Sequence, residues 1–528
     1  MEPCDVNERL SEDVLRMIMW QYVFTENLQS LDPYTAIYNN RLPLEAIVVS
    51  SVCKKWRQVA FDYPAIWSQI HFAWPRDTIS MYMALRRQMP LSIAINESAW
   101  QSNYFQEFQE TLVASMSTVE RMSVTWGGGL LPPPTALTSF VSRLLNQKVA
   151  APKLWYLHLL FRGTLQPDIS IEFPEISVIR TLDVSLKSFR FNWHTLKRVV
   201  AETSDLKLSE IIEFLGAARR LENIVLYHKG WNYSGDDDDS EVAEIKSPRS
   251  PATLPNLRVF ALEWCGRKFA DQLVQTIRSP TSSTIALSIV RQENVSMWKS
   301  LPDFLLKILR SAHTLALEII GHKLTVAPPF ALIFQAANSP RYRIYFDEVP
   351  NMRMRSPSAR AELCYSQFDD LLRDLSSMSF DNLVNVAIHS RRVPNVVLLQ
   401  QFSQAFRDVE NLCVQGYSVD HVIEALQSSN NPASGHYPFP KLRSLDLRGS
   451  RFDHDQLNAM LMNRKGWATD LEELNLTLDP KQEARVDSKL AQSRKITLRK
   501  VSRSVSTYQA EEGDVTDSSD DGNWGWEE

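Results

Sequence analysis

Cysteine is sparse in this chain and never paired in sequence. Cys4, Cys53, Cys265, Cys364 and Cys413 are scattered, odd in number and free of any CxxC spacing. That pattern speaks against a disulfide framework or a paired-cysteine zinc site and suits a reducing compartment. Long apolar runs are missing too: no window approaches the roughly 20 apolar residues that cross a bilayer. The opening MEPCDVNERLSEDV is charged and lacks the apolar centre of a secretory signal. The expected location is therefore the cytoplasm or nucleus, with no membrane partner. A basic excess is also lacking. Lys and Arg number 57 against 62 Asp and Glu, a formal net charge of -5, which argues against nucleic acid as the main ligand.

Catalytic signatures are likewise missing. There is no GxxxxGK[ST], GxGxxG, GxSxG or HExxH, so neither a phosphate-cradling loop, a nucleophile elbow nor a zinc helix is encoded in a recognised form. The ten histidines are dispersed singly. The run Asp236 to Asp239 lacks the alternating ligands and closing glutamate of a calcium loop. The expectation is a non-enzymatic chain with no metal and no cofactor.

What is present begins with Val49 to Phe72. Val52, Trp56, Val59 and Ala60 fall at i, i+4, i+7 and i+8, with Lys54, Lys55, Arg57 and Gln58 on the other side, the pattern of an amphipathic helix. Pro64 cannot continue that helix, so Ala65, Ile66 and Trp67 fold back as a short cap. Trp56 and Trp67 are expected to close one small core. Upstream, Ser11 caps a helix whose buried stripe is Val14, Leu15, Ile18 and Tyr22. Residues 25–44 read as a polar insert and Glu45 to Ser51 as a middle helix.

Val52-Cys53-x-x-Trp56-Arg57-x-x-Ala60-x-x-x-Pro64-x-Ile66-Trp67 resembles the second half of an F-box domain, in the form common among fungal F-box-like proteins. The resemblance implies an all-α N-terminal domain over residues 1–75. It implies docking on a Skp-type adaptor of a cullin ubiquitin ligase through Leu10, Ser11, Val14, Leu15, Ile18, Val52, Trp56, Ile66 and Trp67. One departure stands out: the Leu-Pro that opens such domains is here Leu10-Ser11.

Past Phe72 one phrase keeps returning: an apolar residue, two variable ones, then apolar-x-apolar. Val119-Glu-Arg-Met122-Ser-Val124, Leu154-Trp-Tyr-Leu157-His-Leu159, Ile179-Arg-Thr-Leu182-Asp-Val184 and Leu221-Glu-Asn-Ile224-Val-Leu226 carry it. So do the copies beginning at Leu257, Leu383, Val409, Leu442 and Leu471, with weaker ones at Ile285, Leu315 and Ile344. Helical patterns lie between them, as at Ser209 to Ala218, Leu301 to Ala312, Phe368 to Leu375 and Val422 to Leu426. A strand, turn and helix returning at a spacing of about 25 to 42 residues is the grammar of a leucine-rich-repeat solenoid. The fold expected is thus α/β: a small helical head, an irregular repeat solenoid over residues 76–505 and an acidic tail over 506–528. An ordinary α/β domain whose strands share the phrase is the alternative.

In such strands the fixed apolar residues point inward and the variable ones toward the open face. The candidates there are Tyr156, His158, Asp183, Asn223, Tyr227, Glu263, His389, Gln415, Ser444, Asp446, Arg448, Glu473 and Asn475. Their mixed charge fits a protein target of polar surface. The rival function is a repeat scaffold that recruits no ligase, and Ser11 is the feature in its favour.

Overall fold

The computed structural model describes residues 10–29, 44–126, 134–145, 153–160, 172–173, 176–182, 190–191, 193–203, 206–227, 251–265, 267–290, 301, 303–319, 330–347, 368–380, 382–390, 394–427, 438–464, 471–478 and 495–500. The expected acidic tail, the Asp236 to Asp239 run and most of the 25–44 insert lie outside them. The chain is mixed α/β and divides into two compact units. One is Met1–Leu305 with Asn338–Ile344, the other Leu306–Ala337 with Tyr345–Glu528.

The first unit opens with helices α1 (Glu12–Gln29), α2 (Glu45–Ser51) and α3 (Lys54–Phe61), then a 3-10 turn at Pro64–Trp67. Ser11 caps α1 as expected, its hydroxyl accepting from the Val14 amide at 3.4 Å. The buried stripe differs from the expected one. Leu15, Met19 and Val23 are buried, whereas Ile18 and Tyr22 are exposed and Val14 is half-buried. Both later helices pack on α1, and the buried line is the i, i+4, i+8 line from Leu15, with the line from Val14 left on its flank. The continuous helix expected through Val52 is also broken. Cys53 is fully extended, with φ -160° and ψ 177°, so Val52 closes α2 and Trp56 belongs to α3.

Trp67 is completely buried. Its Nε1 donates to the Ala60 carbonyl at 2.7 Å, tying the 3-10 turn to the end of α3. Its ring meets Phe61 at 5.8 Å and, edge-on, Tyr82 at 4.9 Å. Tyr82 lies on α4 (Arg76–Leu85), beyond the expected boundary at residue 75. Trp67 therefore packs the helical head against the helix that follows it.

Directly after the turn comes β1 (Gln69–His71), then β2 (Leu91–Ile95), β3 (Val119–Thr125), β4 (Tyr156–Leu160) and β5 (Val178–Leu182). The series continues with β6 (Arg198–Glu202), β7 (Asn223–Tyr227), β8 (Val259–Cys265) and β9 (Thr284–Val290). Each strand pairs in parallel with the next. The phrase predicts this ladder because its three apolar positions are all buried, as with Leu154, Leu157 and Leu159 or Leu221, Ile224 and Leu226. The register at β5 is a correction. Ile179, not Leu182, stands opposite Leu157, so the phrase there runs Ile176, Ile179, Thr181, and Asp183 falls outside the described residues. The rung at β6 was missed although Leu196-x-x-Val199-x-Ala201 obeys the same phrase and is buried throughout.

A backbone bracket joins the turns that precede the strands. The residue after the first apolar position offers its carbonyl to two amides of the next turn. Trp155 O accepts from Ser177 and Val178, Ser177 O from Lys197 and Arg198, Lys197 O from Glu222 and Asn223, and Glu222 O from Arg258 and Val259, at 2.7 to 3.1 Å.

The second unit repeats the arrangement with one difference. In β10 (Ala312–Ile319) the strand pairs antiparallel with β11 (Phe330–Ala336), which inserts a hairpin partner that the phrase does not encode. Asn338, which belongs to the first unit, takes φ 57° in a turn ahead of β12 (Arg341–Asp347). On its other side β10 runs parallel to β13 (Asn385–His389), followed by β14 (Asn411–Ser418), β15 (Ser444–Arg451), β16 (Glu473–Leu478) and β17 (Lys495–Lys500). The same bracket recurs: Val384 O accepts from Glu410 and Asn411, Glu410 O from Arg443 and Ser444, Arg443 O from Glu472 and Glu473. Three helices, Val396–Ala405, Asp420–Gln427 and His454–Arg464, pack in succession beside these strands. The sequence patterns had marked the second of them.

Two outcomes follow. Trp67→Ala removes the largest fully buried side chain and should cost about 3–5 kcal/mol, read as a lowered midpoint in urea unfolding. Burial also drives the His71 imidazole down from 6.5 to about 4. The unfolded chain therefore binds a proton that the folded one refuses, so stability falls as pH drops from about 6.5 to 4, by up to about 3 kcal/mol. His71→Leu should flatten that acid limb in unfolding measured across the window.

Candidate functional site

Two surfaces of the chain gather the residue types expected to bind. The first is the helical head. Val14, Ile18 and Tyr22 line one flank of α1, with Ile18 39 % and Tyr22 48 % exposed. Val48 at 51 % and Val52 at 52 % exposure stand on α2 and its end. Apolar side chains this exposed leave about half of their surface uncovered by the protein itself. The Leu10–Ser11 corner is fixed to α3 by Lys55, whose Nζ donates to the Leu10 carbonyl at 2.7 Å. Arg57 Nε donates to the Ser50 carbonyl at 3.2 Å and holds α3 to α2.

Of the residues expected to meet an adaptor, Ile18 and Val52 are exposed, Leu10, Val14 and Trp56 half-buried, and Ser11 exposed at the cap. Leu15, Ile66 and Trp67 are fully buried. The last three shape the surface from beneath. Trp56 sits with its Nε1 buried and without a hydrogen-bond partner. Cys53 is half-buried in the break between α2 and α3.

The second surface is the sheet face that carries the variable residues of the phrase. In the second unit the register aligns Thr314, Asn385, Asn411, Ser444 and Glu473 in one row. The next holds Ala316, Ala387, Cys413, Asp446 and Asn475, and a third His389, Gln415 and the backbone of Arg448. Asparagines stitch the first row: Asn411 Nδ2 donates to Asn385 Oδ1 at 2.7 Å, and Asn385 Nδ2 lies 3.2 Å from His313 Nδ1. Across the second and third rows Cys413 Sγ meets His389 Nε2 at 3.9 Å. Asn475 Nδ2 donates to Glu473 Oε1 at 3.1 Å. Ser444 and Glu473 thus stand opposite each other, and Asp446 and His389 occupy the second and third rows of the same face.

The first unit places Tyr156 and Asn223 in one row and Tyr227 opposite Glu263 in another. His158 is buried, bonded through Nδ1 to the Ser123 hydroxyl at 3.0 Å. Tyr227 is buried with Leu160 against Val200 and Val225. The middle row continues through Val200, Val225, Ala261 and Ala286. This face is less polar than the sequence candidates suggested, because the pattern of the phrase says nothing about which side chains fill its variable positions. Arg121 and Arg198 were missed on this face, and Asn385 and Asn411 on that of the second unit. Each occupies the offset of Tyr156, directly before the middle apolar residue, and alignment of the copies would have found them.

Among the described residues no group of three or more His, Cys, Asp or Glu could hold a metal ion, and no helix is long and apolar enough to cross a membrane. A small cavity in the second unit is lined by Ile388, Leu412, Val422, Phe439 and similar side chains, none of them ionisable. No protein-family model matches this chain, and a search of curated proteins finds no relative.

The distinction between surface and core residues of the head is measurable. Ile18→Ser and Val52→Ser should each change unfolding free energy by less than about 0.5 kcal/mol, whereas Leu15→Ala should cost about 2–5 kcal/mol. Equal losses at all three positions would mean that Ile18 and Val52 are core residues.

Proposed function

We propose that this chain is the substrate-recognition subunit of a Skp, cullin and F-box type ubiquitin ligase. In this reading the head is an F-box-like domain that docks on the Skp-type adaptor, and the strands form an irregular leucine-rich-repeat solenoid that holds a protein target. The chain itself supplies proximity and orientation, and the transfer chemistry belongs to its partners. It works in the cytoplasm or nucleus.

The observation that carries the reading is the row of exposed apolar side chains, Ile18 and Tyr22 on α1 with Val48 and Val52 beside α2 and the half-buried Val14 at its edge, in the N-terminal unit whose sequence resembles an F-box. Covering a Val or Ile side chain contributes about 1.5–3 kcal/mol, so five such residues suffice for a partner helix. Supporting it, Trp67 joins the head to α4 with no flexible linker, and β1 pairs with β2 straight after the turn. A receptor that must present its target at a fixed distance needs such a rigid junction.

A second reading rests on Ser11. Its hydroxyl caps α1 and so preserves the helix boundary without the proline of the family pattern. A head with that corner altered also serves as the end cap of a repeat scaffold that recruits no ligase.

Co-purification separates the two. The native chain should bring down a Skp-type adaptor, and Ile18→Asp combined with Val52→Asp should abolish capture while leaving the melting temperature unchanged. No adaptor with the native chain leaves the scaffold reading standing. Capture that survives the double variant would place the adaptor elsewhere.

A further inference from the structure

The first unit carries two arginines on its open face for which the described residues supply no ion pair and no side-chain hydrogen bond. Arg121 on β3 lies 5.4 Å from the Trp155 ring centroid and 5.0 Å from that of Tyr156. It forms no ion pair and no side-chain hydrogen bond among the described residues. Arg198 on β6 is exposed and has no ion pair or side-chain hydrogen bond among the described residues either. Both stand in the same cross-strand row, in which Arg121 is followed by Tyr156, Val178 and Arg198. That row, from Gln69 to Thr284, contains no carboxylate.

A guanidinium over an aromatic face keeps its charge and its planar fork of donors but loses freedom to swing away. Burial also lowers the Arg121 pKa, and Tyr156 and the neighbouring Glu120 carboxylate offset only part of that, as for a charge that has shed water without a paired counter-ion in contact. Such a group is ready for a charge-assisted bond to a carboxylate or phosphate. Three strand spacings separate the two arginines, about 14 Å at 4.8 Å each. An extended peptide covers that distance in about four residues. Tyr156 and Val178 between them offer an aromatic and aliphatic floor.

We infer that this row binds an extended acidic segment of the target protein, with two anionic side chains about four residues apart on Arg121 and Arg198 and an apolar side chain between them over Tyr156 and Val178. The inference rests on the reading of the sheet face as the target surface and does not depend on ligase recruitment. Charge complementarity selects this occupant over nucleic acid, since the chain as a whole is acidic at -5 and a nucleic-acid strand would face that net repulsion.

The test is fluorescence anisotropy with the full chain and labelled extended peptides that hold a leucine between two glutamates at graded separations. Phosphoserine and glutamine versions and a single-stranded oligonucleotide complete the set. Affinity should peak near a separation of about four residues and exceed that of the glutamine version about tenfold. Arg121→Gln and Arg198→Gln should each weaken binding about tenfold with an unchanged melting temperature, and Arg121→Lys should restore only part of it. A preference between glutamate and phosphoserine identifies the source of the anion, and either one supports the site. Glutamine and glutamate peptides binding alike, no peptide binding, affinity unaffected by the double variant, or tighter binding of the oligonucleotide would each overturn it. Adaptor co-purification reads the head alone, so peptide binding without adaptor capture leaves this site standing and removes the ligase.

Discussion

Within each unit, turn after turn is hung on the one before it by a shared carbonyl, at Trp155, Ser177, Lys197 and Glu222 in the first and at Val384, Glu410 and Arg443 in the second. Because the residue after the first buried apolar position accepts two amides from the following turn, consecutive strands are forced parallel and into register before any side chain is considered. A carbonyl has two lone pairs and a buried backbone amide must be satisfied, so one geometry serves seven successive junctions among the described residues. The apolar triads then fill the space beneath the strands, and insertions of varying length fall outside it. That is why copies at irregular spacing still stack.

The head obeys a different constraint. Trp67 closes α3 through its bond to Ala60 and at the same time lies against Tyr82 of the next helix. Its burial leaves the two segments no freedom to move independently, since one ring serves both cores. The apolar flank of α1 is left over by the same packing. Once Leu15, Met19 and Val23 occupy the interior, Val14, Ile18 and Tyr22 have nowhere to go but outward. Stability and a binding surface thus come from neighbouring lines of one helix.

Much of the ladder was legible in the letters. The copies at Val119, Leu154, Leu221, Leu257, Leu383, Val409, Leu442 and Leu471 all begin buried rungs, and the helices near 209–218 and 422–426 are found at Leu208–Ala217 and Asp420–Gln427. The misreading at Ile179 arose because Leu182 is a better leucine than Thr181, yet Thr181 is the residue opposite Leu159. A threonine fits a strand as well as an aliphatic residue of its size, and the phrase alone cannot rank the two. On α1 the stripe was assigned one helical line away for a related reason: its apolar residues cover more than half the circumference, so periodicity names several candidates for the buried line.

By itself the sequence determined the α/β class, the repeated parallel strand, the proline stop at Pro64 and the cap at Ser11, because each depends on residues within one turn or one phrase. Tertiary structure alone decided which flank of α1 stays exposed, the break at Cys53, the antiparallel partner of β10 and the row that brings Arg121 level with Arg198. The exposed flank of α1 and the Arg121–Arg198 row depend on neighbours far away in the chain, while the break at Cys53 and the hairpin partner of β10 are backbone arrangements that the spacing of letters does not mark.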